Sequence, residues 1–333
     1  MNVMTADHDD ATSKTLSLLV RQVRFEAVGI NSYELVHADG HALPYAEAGS
    51  HLDIHLPGGL IRQYSICNDP AERFHYIIAV LNDEKGRGGS RLLHELVQVS
   101  NVLATSRPRN NFSLARDGRH HILIAGGIGI TPLKAMVHEL VSQDVDYELH
   151  YCAKAPEHAA FHQELAGLGD TVRFHYDSGD PANGMDISGL LKTHDAGTHL
   201  YYCGPGGFMG ACAAASAHWP AGTVHSEYFK APAEPAPVPD NIDSDSTDNF
   251  IIQIASTGIE LDVPADRSIV EVLHEAGIDL DTSCVSGLCG TCKVKYLSGT
   301  VEHRDFILSE DEKVDHLTAC VSRATSQKLV LDL

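Results

Sequence analysis

Between about Thr15 and Ser113 apolar and polar residues alternate in short runs: LSLLVRQVRFEAV, SYELVHA, HLDIHLP, IRQYSIC, FHYIIAVL and NVLATSRP, separated by Gly, Pro, Asp and Asn. A period of two is what a half-buried strand requires, and six such runs at short spacing predict a small antiparallel barrel or sandwich. From His120 the pattern changes. HILIAGG is a continuous apolar strand, and the segment after it sets Leu133, Met136, Val137, Leu140 and Val141 at helical offsets of three and four. YELHYCAK, TVRFHYD and HLYYCGP repeat the strand signal with helical patterns between them, which predicts a parallel α/β sheet covered on both faces.

The stretch KAPAEPAPVPDNIDSDSTDN breaks the pattern with Pro, Ala and Asp and offers little to pack, so it reads as a linker extended by proline and charge. A compact pattern resumes after Asn249. FIIQIAS and IELDVPA predict a hairpin around Thr257-Gly258, Ser268 with Glu271 forms a capping box at a helix start, and Gly277 closes that helix. No internal repeat is visible.

Composition narrows the partners. The chain has 333 residues, enough for two or three domains, and 45 acidic against 24 basic side chains give it a net charge of −21. That sign argues against nucleic acid or an anionic membrane, both of which would repel it, and favours a protein partner with a basic patch. MNVMTADHDDATSK has no positive region leading into an apolar run, and no stretch approaches the roughly 18 apolar residues of a membrane span. A soluble cytoplasmic protein is expected, and in that setting eight cysteines point to a metal site before a disulfide framework.

Four of those cysteines are spaced Cys284-x4-Cys289-x2-Cys292-x27-Cys320, the plant-type pattern for a 2Fe-2S cluster held by four thiolates. The fillers suit it: Ser286, Gly287, Gly290 and Thr291 let a loop approach closely and aim backbone N–H groups at sulfur. Structural zinc prefers paired CxxC motifs or CxxC with histidines, and here there is one CxxC and no histidine nearby before His303. Cys67, Cys152 and Cys212 read as small buried hydrophobes, while Cys203 stands apart because of the motif around it.

That motif, YYCGPGGFM, puts Cys203, Gly204 and Pro205 at a strand's carboxyl end, where open α/β sheets bind ligands. IAGGIGITPLKAM supplies a second such edge, a glycine turn entering a helix with Thr131 as N-cap and Pro132 at its first position, suited to a pyrophosphate. It is not the GxGxxG fingerprint, and a tight strand-to-helix connection would look the same. In RQYSIC the arginine, tyrosine and serine cannot all face one side of a regular strand, so either the strand breaks or both faces are used. NDEKGRGGSRLLHEL adds a glycine loop with Arg87, running into a helix capped by Ser90, a second anion-binding start or else a solvated turn. The 21 histidines, His120-His121 included, show no metal-ligand spacing.

The order RQYS, GRGGS, GGIGITP, CGP, HSEYF and Cys-x4-Cys-x2-Cys, then HRDFILSEDEK, CVSRA and LVLDL, resembles the phthalate dioxygenase reductase family, which includes the vanillate O-demethylase reductases. The likeness covers nearly the whole chain after Leu16. It implies a multidomain fold of the ferredoxin-NADP reductase type. An antiparallel β-barrel flavin domain (14–115) and an α/β parallel-sheet nucleotide domain (118–230) would be followed by a linker (231–247) and an α+β, β-grasp ferredoxin domain (248–333). The resemblance implies FMN rather than FAD, with NADH as donor. Arg62 would clamp the phosphate, Tyr64 would lie along the ribityl chain, and Ser65 would sit near the reactive flavin nitrogen. Gln63, Ala79, Val80, Arg87, Gly88, Gly89 and Ser90 would complete that site. Gly127, Gly129, Thr131, Cys203, Gly204 and Pro205 would take the nicotinamide nucleotide, with Glu227 and Phe229 closing over the flavin; Ser65, Cys203, Glu227 and Phe229 would lie at the chemistry. After YELHYCAK the segment Ala155-Pro156-Glu157 offers no arginine pair for the extra phosphate of NADPH.

The function implied is that of the reductase component of a Rieske-type non-haem iron oxygenase acting on an aromatic acid, in aromatic hydrocarbon catabolism. Hydride carries two electrons and the cluster takes one, a mismatch that a flavin resolves. The alternative is a general NADH:acceptor reductase for dyes, ferric chelates or haem proteins. Between residues 248 and 333 there are 15 acidic and 7 basic side chains, so the ferredoxin domain would dock on a basic face of its acceptor.

Overall fold

A computed structural model describes residues 15–231 and 249–333. The leader reading of residues 1–14, the linker reading from 232 onward and the domain bounds at 14 and 248 fall outside them.

Period-two alternation shapes the first sheet. Its strands are β1 (Thr15–Ala27), β2 (Ile30–His37), β3 (Ser50–Leu56), β4 (Leu60–Ser65), β5 (Tyr76–Leu81), β6 (Val102–Ser106) and β7 (Arg109–Asn110), with helix α1 (Gly89–Leu96) between β5 and β6. They run in the order β4-β3-β6-β1-β2-β5 with β7 on β3, and every pairing is antiparallel. A bridge between Ile66 and Ile78 joins the two end strands and closes a barrel. Leu16, Leu18 and Leu52, Ile54 point inward from β1 and β3 to meet Tyr33 and Ile78 in one core. β1 serves two neighbours because register shifts at Val20/Gln22 and Phe25/Ala27 bend it.

The second sheet follows from buried apolar strands. It comprises β8 (His120–Gly126), α2 (Ile130–Ser142), β9 (Asp146–Ala153), α3 (His162–Ala166), β10 (Val172–Tyr176), α4 (Ile187–Leu190), β11 (Thr198–Cys203), α5 (Gly206–Ala215) and β12 (Val224–Glu227). The order is β10-β9-β8-β11-β12, all parallel. The chain winds one way from β8 and then returns to β11 on the other side, so β8 and β11 flank the switch point where such sheets bind ligands. Burial explains many of the histidines: His121, His199 and His225 stack in a row across this sheet, and burial pushes His121 and His225 down to about 4, leaving both neutral.

One apolar seam joins barrel and parallel sheet: Ala48, Cys67 and Ala79 belong to the same cluster as Leu133, Met136 and Tyr201. The two sheets form one compact unit ending at Glu227, and the chain from Tyr228 forms a second. That second unit holds β13 (Phe250–Ile254), β14 (Glu260–Val263), α6 (Ile269–Glu275), β15 (Lys293–Ser298), β16 (Val301–Glu302), α7 (Glu310–Lys313), β17 (His316–Thr318), β18 (Arg323–Ala324) and β19 (Lys328–Leu331). Its main sheet is ordered β14-β13-β19-β15-β17, with β13 and β19 parallel, and Ile269, Val270 and Leu273 of α6 pack onto it. The expected hairpin turns at Gly258 (φ +72°), the Ser268–Glu271 capping box forms, and Gly277 closes α6 at φ +74°.

Two caps differ from expectation. Helix α2 begins one residue before Thr131, with Gly129 as N-cap; Thr131 lies inside it and donates its hydroxyl to the Ile128 carbonyl at 3.1 Å. Helix α1 is capped by Gly88 in the left-handed region, and the Ser90 hydroxyl instead accepts from the Asp83 N–H at 3.1 Å. Gly88 makes a left-handed turn, and Gly129 permits an approach to Cys203 that a Cβ would block. Among the described residues no helix is long and apolar enough to cross a membrane.

Candidate functional sites

β4 uses both faces. Arg62 and Tyr64 register with Ile54 and Leu52, whereas Ser65 registers with His51, so the strand continues unbroken and Ser65 leaves on the opposite side. Gln63 lies between them, half-buried and opposite Asp53. The half-buried Arg62 donates to the Ile61 and Arg87 carbonyls at 2.7 and 3.1 Å. Burial, and after it the nearby Arg87 guanidinium, hold the Arg62 pKa below its usual value. Gly88 (φ +87°) and Gly89 close over this pair; a Cβ on Gly89 would stand 2.4 Å from Arg62 Cγ. Two guanidiniums at a helix start, reached through a turn with no room for a side chain, form a cradle whose chemistry fits a phosphate. Val80 lies in the barrel core and Ala79 in the seam, so neither side chain projects freely.

At the switch point the two glycine edges touch. Gly127 turns the chain at φ +54°, and Gly129 approaches so closely that a Cβ there would lie 2.1 Å from the Cys203 carbonyl oxygen. Gly204 is likewise pressed by Phe208, and Pro205 caps α5. Cys203 is fully buried and registers with Ala125 on one side and Glu227 on the other; burial, then the Glu227 charge, pushes its thiol up. Ser65 reaches the same place and hydrogen-bonds the Glu227 carboxylate, while Glu227 Oε2 is buried with no hydrogen-bond partner. Burial pushes that carboxyl up to about 8. An orphaned buried oxygen beside a serine hydroxyl fits a ligand that presents a polar ring nitrogen, as a flavin does. Ser65, Cys203 and Glu227 are therefore brought together. Phe229, 40% exposed, belongs to the second unit.

In that second unit the sulfurs fall into two pairs, Cys284 with Cys289 and Cys292 with Cys320, each sharing a hydrogen bond. The donors Cys284 and Cys320 are held up by that bond and the acceptors Cys289 and Cys292 held down. Among the described residues no three His, Cys, Asp or Glu side chains converge on a point that would hold a metal ion. Two pairs of sulfurs suit two irons with two thiolates each. The backbone completes the fit. N–H groups of Ser286 and Leu288 address Cys284, Gly287 addresses Cys320 and Thr291 addresses Cys289, with the Thr291 hydroxyl 3.1 Å from that sulfur. Gly287 and Gly290 take φ of +70° and +68°, and Val285 is held at +50°.

Sequence reasoning passed over a charged group in the seam. Lys134, 3% exposed, reaches the Cys67 carbonyl at 3.1 Å, Glu164 at 2.7 Å and His138 at 3.1 Å. The available signal was a lysine four residues before a histidine on a helix whose first two turns are otherwise apolar or small.

Comparison with known proteins agrees with this geometry. Residues 252–325 match the family model of the 2Fe-2S iron-sulfur cluster binding domain, and residues 103–227 match the dimethylamine monooxygenase subunit DmmA-like N-terminal domain. The reductase subunit of a tert-butanol monooxygenase / tert-amyl alcohol desaturase from Aquincola tertiaricarbonis is 54% identical, over 96% of each chain. A vanillate O-demethylase oxidoreductase from Pseudomonas sp. (strain HR199 / DSM 7063) is 45% identical, over 96% of this chain and 100% of that one. Among solved structures, phthalate dioxygenase reductase, described as modular for electron transfer from pyridine nucleotides to [2Fe-2S], matches at TM-score 0.70 and 38% identity, over 96% and 98%. An intact type IV self-sufficient cytochrome P450 monooxygenase matches at TM-score 0.86 and 36% identity; this chain is covered to 96% but spans only 41% of that protein. Barrel, parallel sheet and iron-sulfur domain thus define an oxidoreductase of the ferredoxin-NADP reductase type with a fused 2Fe-2S module. The chain belongs to the phthalate dioxygenase reductase family.

Proposed function

We propose that this protein is the cytoplasmic, NADH-dependent reductase component of a Rieske-type non-haem iron oxygenase, with FMN on the barrel (14–115), the nucleotide on the parallel sheet (118–230) and the cluster in the C-terminal domain (248–333). The meeting of Ser65, Cys203 and Glu227 beside the Gly127–Gly129 turn carries this reading. What bound FMN supplies is the exchange of a two-electron hydride for single electrons. Arg62 and Arg87, with Gly88, Gly89 and Ser90, grip the phosphate. Tyr64 packs beside the bound chain, its hydroxyl kept neutral by burial. The Ser65 hydroxyl, hydrogen-bonded to Glu227, would face the ring together with that carboxyl, whose protonated form burial favours at neutral pH. Cys203 occupies the sheet edge as a neutral, water-excluding group. Lys154 alone, followed by Ala155-Pro156-Glu157, leaves the NADPH phosphate without an arginine pair, which supports NADH. Eight free thiols support a reducing compartment.

The domain carrying Cys284, Cys289, Cys292 and Cys320 hands electrons onward, and its acidic balance favours an acceptor with a basic face. Relatives named for tert-butanol, vanillate and phthalate systems share this architecture, so an aromatic acid remains the substrate class proposed for the oxygenase while no residue of this chain reads it. A haem acceptor is the second reading, favoured by the likeness to the P450 protein. Anaerobic titration with NADH tests the core of the proposal: the purified protein should be yellow-brown and bleach. A brown protein insensitive to NADH would mark an electron carrier instead. Turnover with a Rieske oxygenase, set against a P450, separates the two acceptors.

A further inference from the structure

Every residue of α2 from Ile130 to Val137 is buried, Lys134 among them. A buried ammonium persists only when fully satisfied. Lys134 Nζ has three donors: the Cys67 carbonyl and Glu164 Oε1 accept two of them, and His138 Nε2 lies 3.1 Å from both Nζ and Glu164 Oε1 and serves one or the other. The Phe161 ring, 4.9 Å away, covers a further side. Burial pushes Glu164 up, but its contacts with His138 and Lys134 outweigh that and hold it at about 2, so it stays anionic. The ammonium is thus held from several directions inside an otherwise apolar seam.

The ends of this tie matter. Cys67 lies two residues beyond Ser65, and its own N–H is fixed to the Ile77 carbonyl at 2.8 Å. Lys134 lies one helical turn beyond Thr131 and the Gly127–Gly129 bend. We propose that Lys134 is a positioning residue for hydride transfer: it fixes the glycine turn of the nucleotide sheet against the strand end that carries Ser65, and so sets the distance between the two ring sites. The inference rests on assigning Ser65 to the flavin and the glycine turn to the nucleotide. Apolar contact alone would let the seam slide, whereas a charged bond to one carbonyl selects one register. Hydride transfer is sensitive to such slippage, a misplacement of about 1 Å costing on the order of 100-fold.

The test is K134M, which keeps length and apolar volume. Expected are unchanged flavin content, flavin reduction at saturating NADH slowed about tenfold, a weakened long-wavelength absorbance between reduced flavin and nicotinamide, and faster amide hydrogen exchange at Cys67 and Met136 together. Reduction at the wild-type rate, or loss of flavin from a folded variant, overturns the proposal. Should K134M not fold, E164L carries the same test, because it removes the carboxylate that accepts from Lys134 at a half-exposed position: slower reduction with flavin retained supports the tie, and the wild-type rate overturns it. Wild-type protein that NADH does not bleach would instead overturn the functional reading, so the two failures are distinguishable.

Discussion

Around Cys284–Cys292 the groups addressing sulfur come mostly from the backbone of one short loop, whereas at Ser65, Cys203 and Glu227 three side chains arrive from β4, β11 and β12. The first site is local and geometric: it needs thiolates at fixed spacing and glycines at positive φ. The second is non-local and chemical. Its residues mean little until the barrel closes through Ile66–Ile78 and the parallel sheet sets Cys203 beside Glu227. A local site should therefore fail through its ligands and backbone, and a distributed one through individual side-chain functions.

The comparison breaks hardest at a ligand. Cys292→Ser leaves Cys320 without its partner, and iron content and transfer to a one-electron protein acceptor should fall to background while NADH oxidation by a small dye persists. If both activities vanish together, the sites are not in series. On the other side, Arg62→Ala removes one of the two guanidiniums of the cradle; about 2–3 kcal/mol of charged hydrogen bonding predicts flavin binding weakened ~100-fold with iron content unchanged, read by equilibrium dialysis. Gly287→Ala tests the backbone argument: its Cβ would meet Val321 Cγ2 at 2.8 Å and Asp305 Cα at 3.0 Å, at φ +70°. Denaturant unfolding of the C-terminal domain should report a loss of about 2 kcal/mol, and an unchanged midpoint would show that the loop relaxes freely.

The last test is a change of slope. The folded protein binds the Glu227 proton more tightly than the unfolded chain does, with a pKa of about 8 against 4.5. This contribution to stability is complete below about pH 4.5 and is lost as pH rises toward 8. In flavin-free protein Glu227→Gln should remove that part of the decline in melting temperature between pH 5 and 8. Parallel profiles for the two proteins would show the carboxyl to be ordinary.

How legible each region was in the sequence follows the same division. The cysteine spacing and the Ser268–Glu271 cap are encoded within a few residues, and the period-two and all-apolar runs give both sheet types. RQYSIC was legible only as a choice between a broken strand and two used faces, because the answer depends on the register of β4 against β3. The caps at Thr131 and Ser90 were misplaced because both helices start earlier, at a left-handed Gly88 and at a Gly129 pressed against Cys203, and that approach is set by the fold rather than by the local sequence. Lys134 was missed because a lysine on a helix ordinarily faces water, and only the seam between two sheets, a long-range property, buries it.

The cysteines outside the iron loop have a practical corollary. Cys67, Cys152 and Cys212 are pushed up to about 12 by burial, and burial pushes Cys203 well up too, so near pH 7 these thiols stay protonated. A thiol-reactive dye added to loaded native protein would find almost nothing to label, while every cluster that dissolves would uncover four new sulfurs. The molecule thus provides its own fluorescent tally of iron loss, readable in a cuvette.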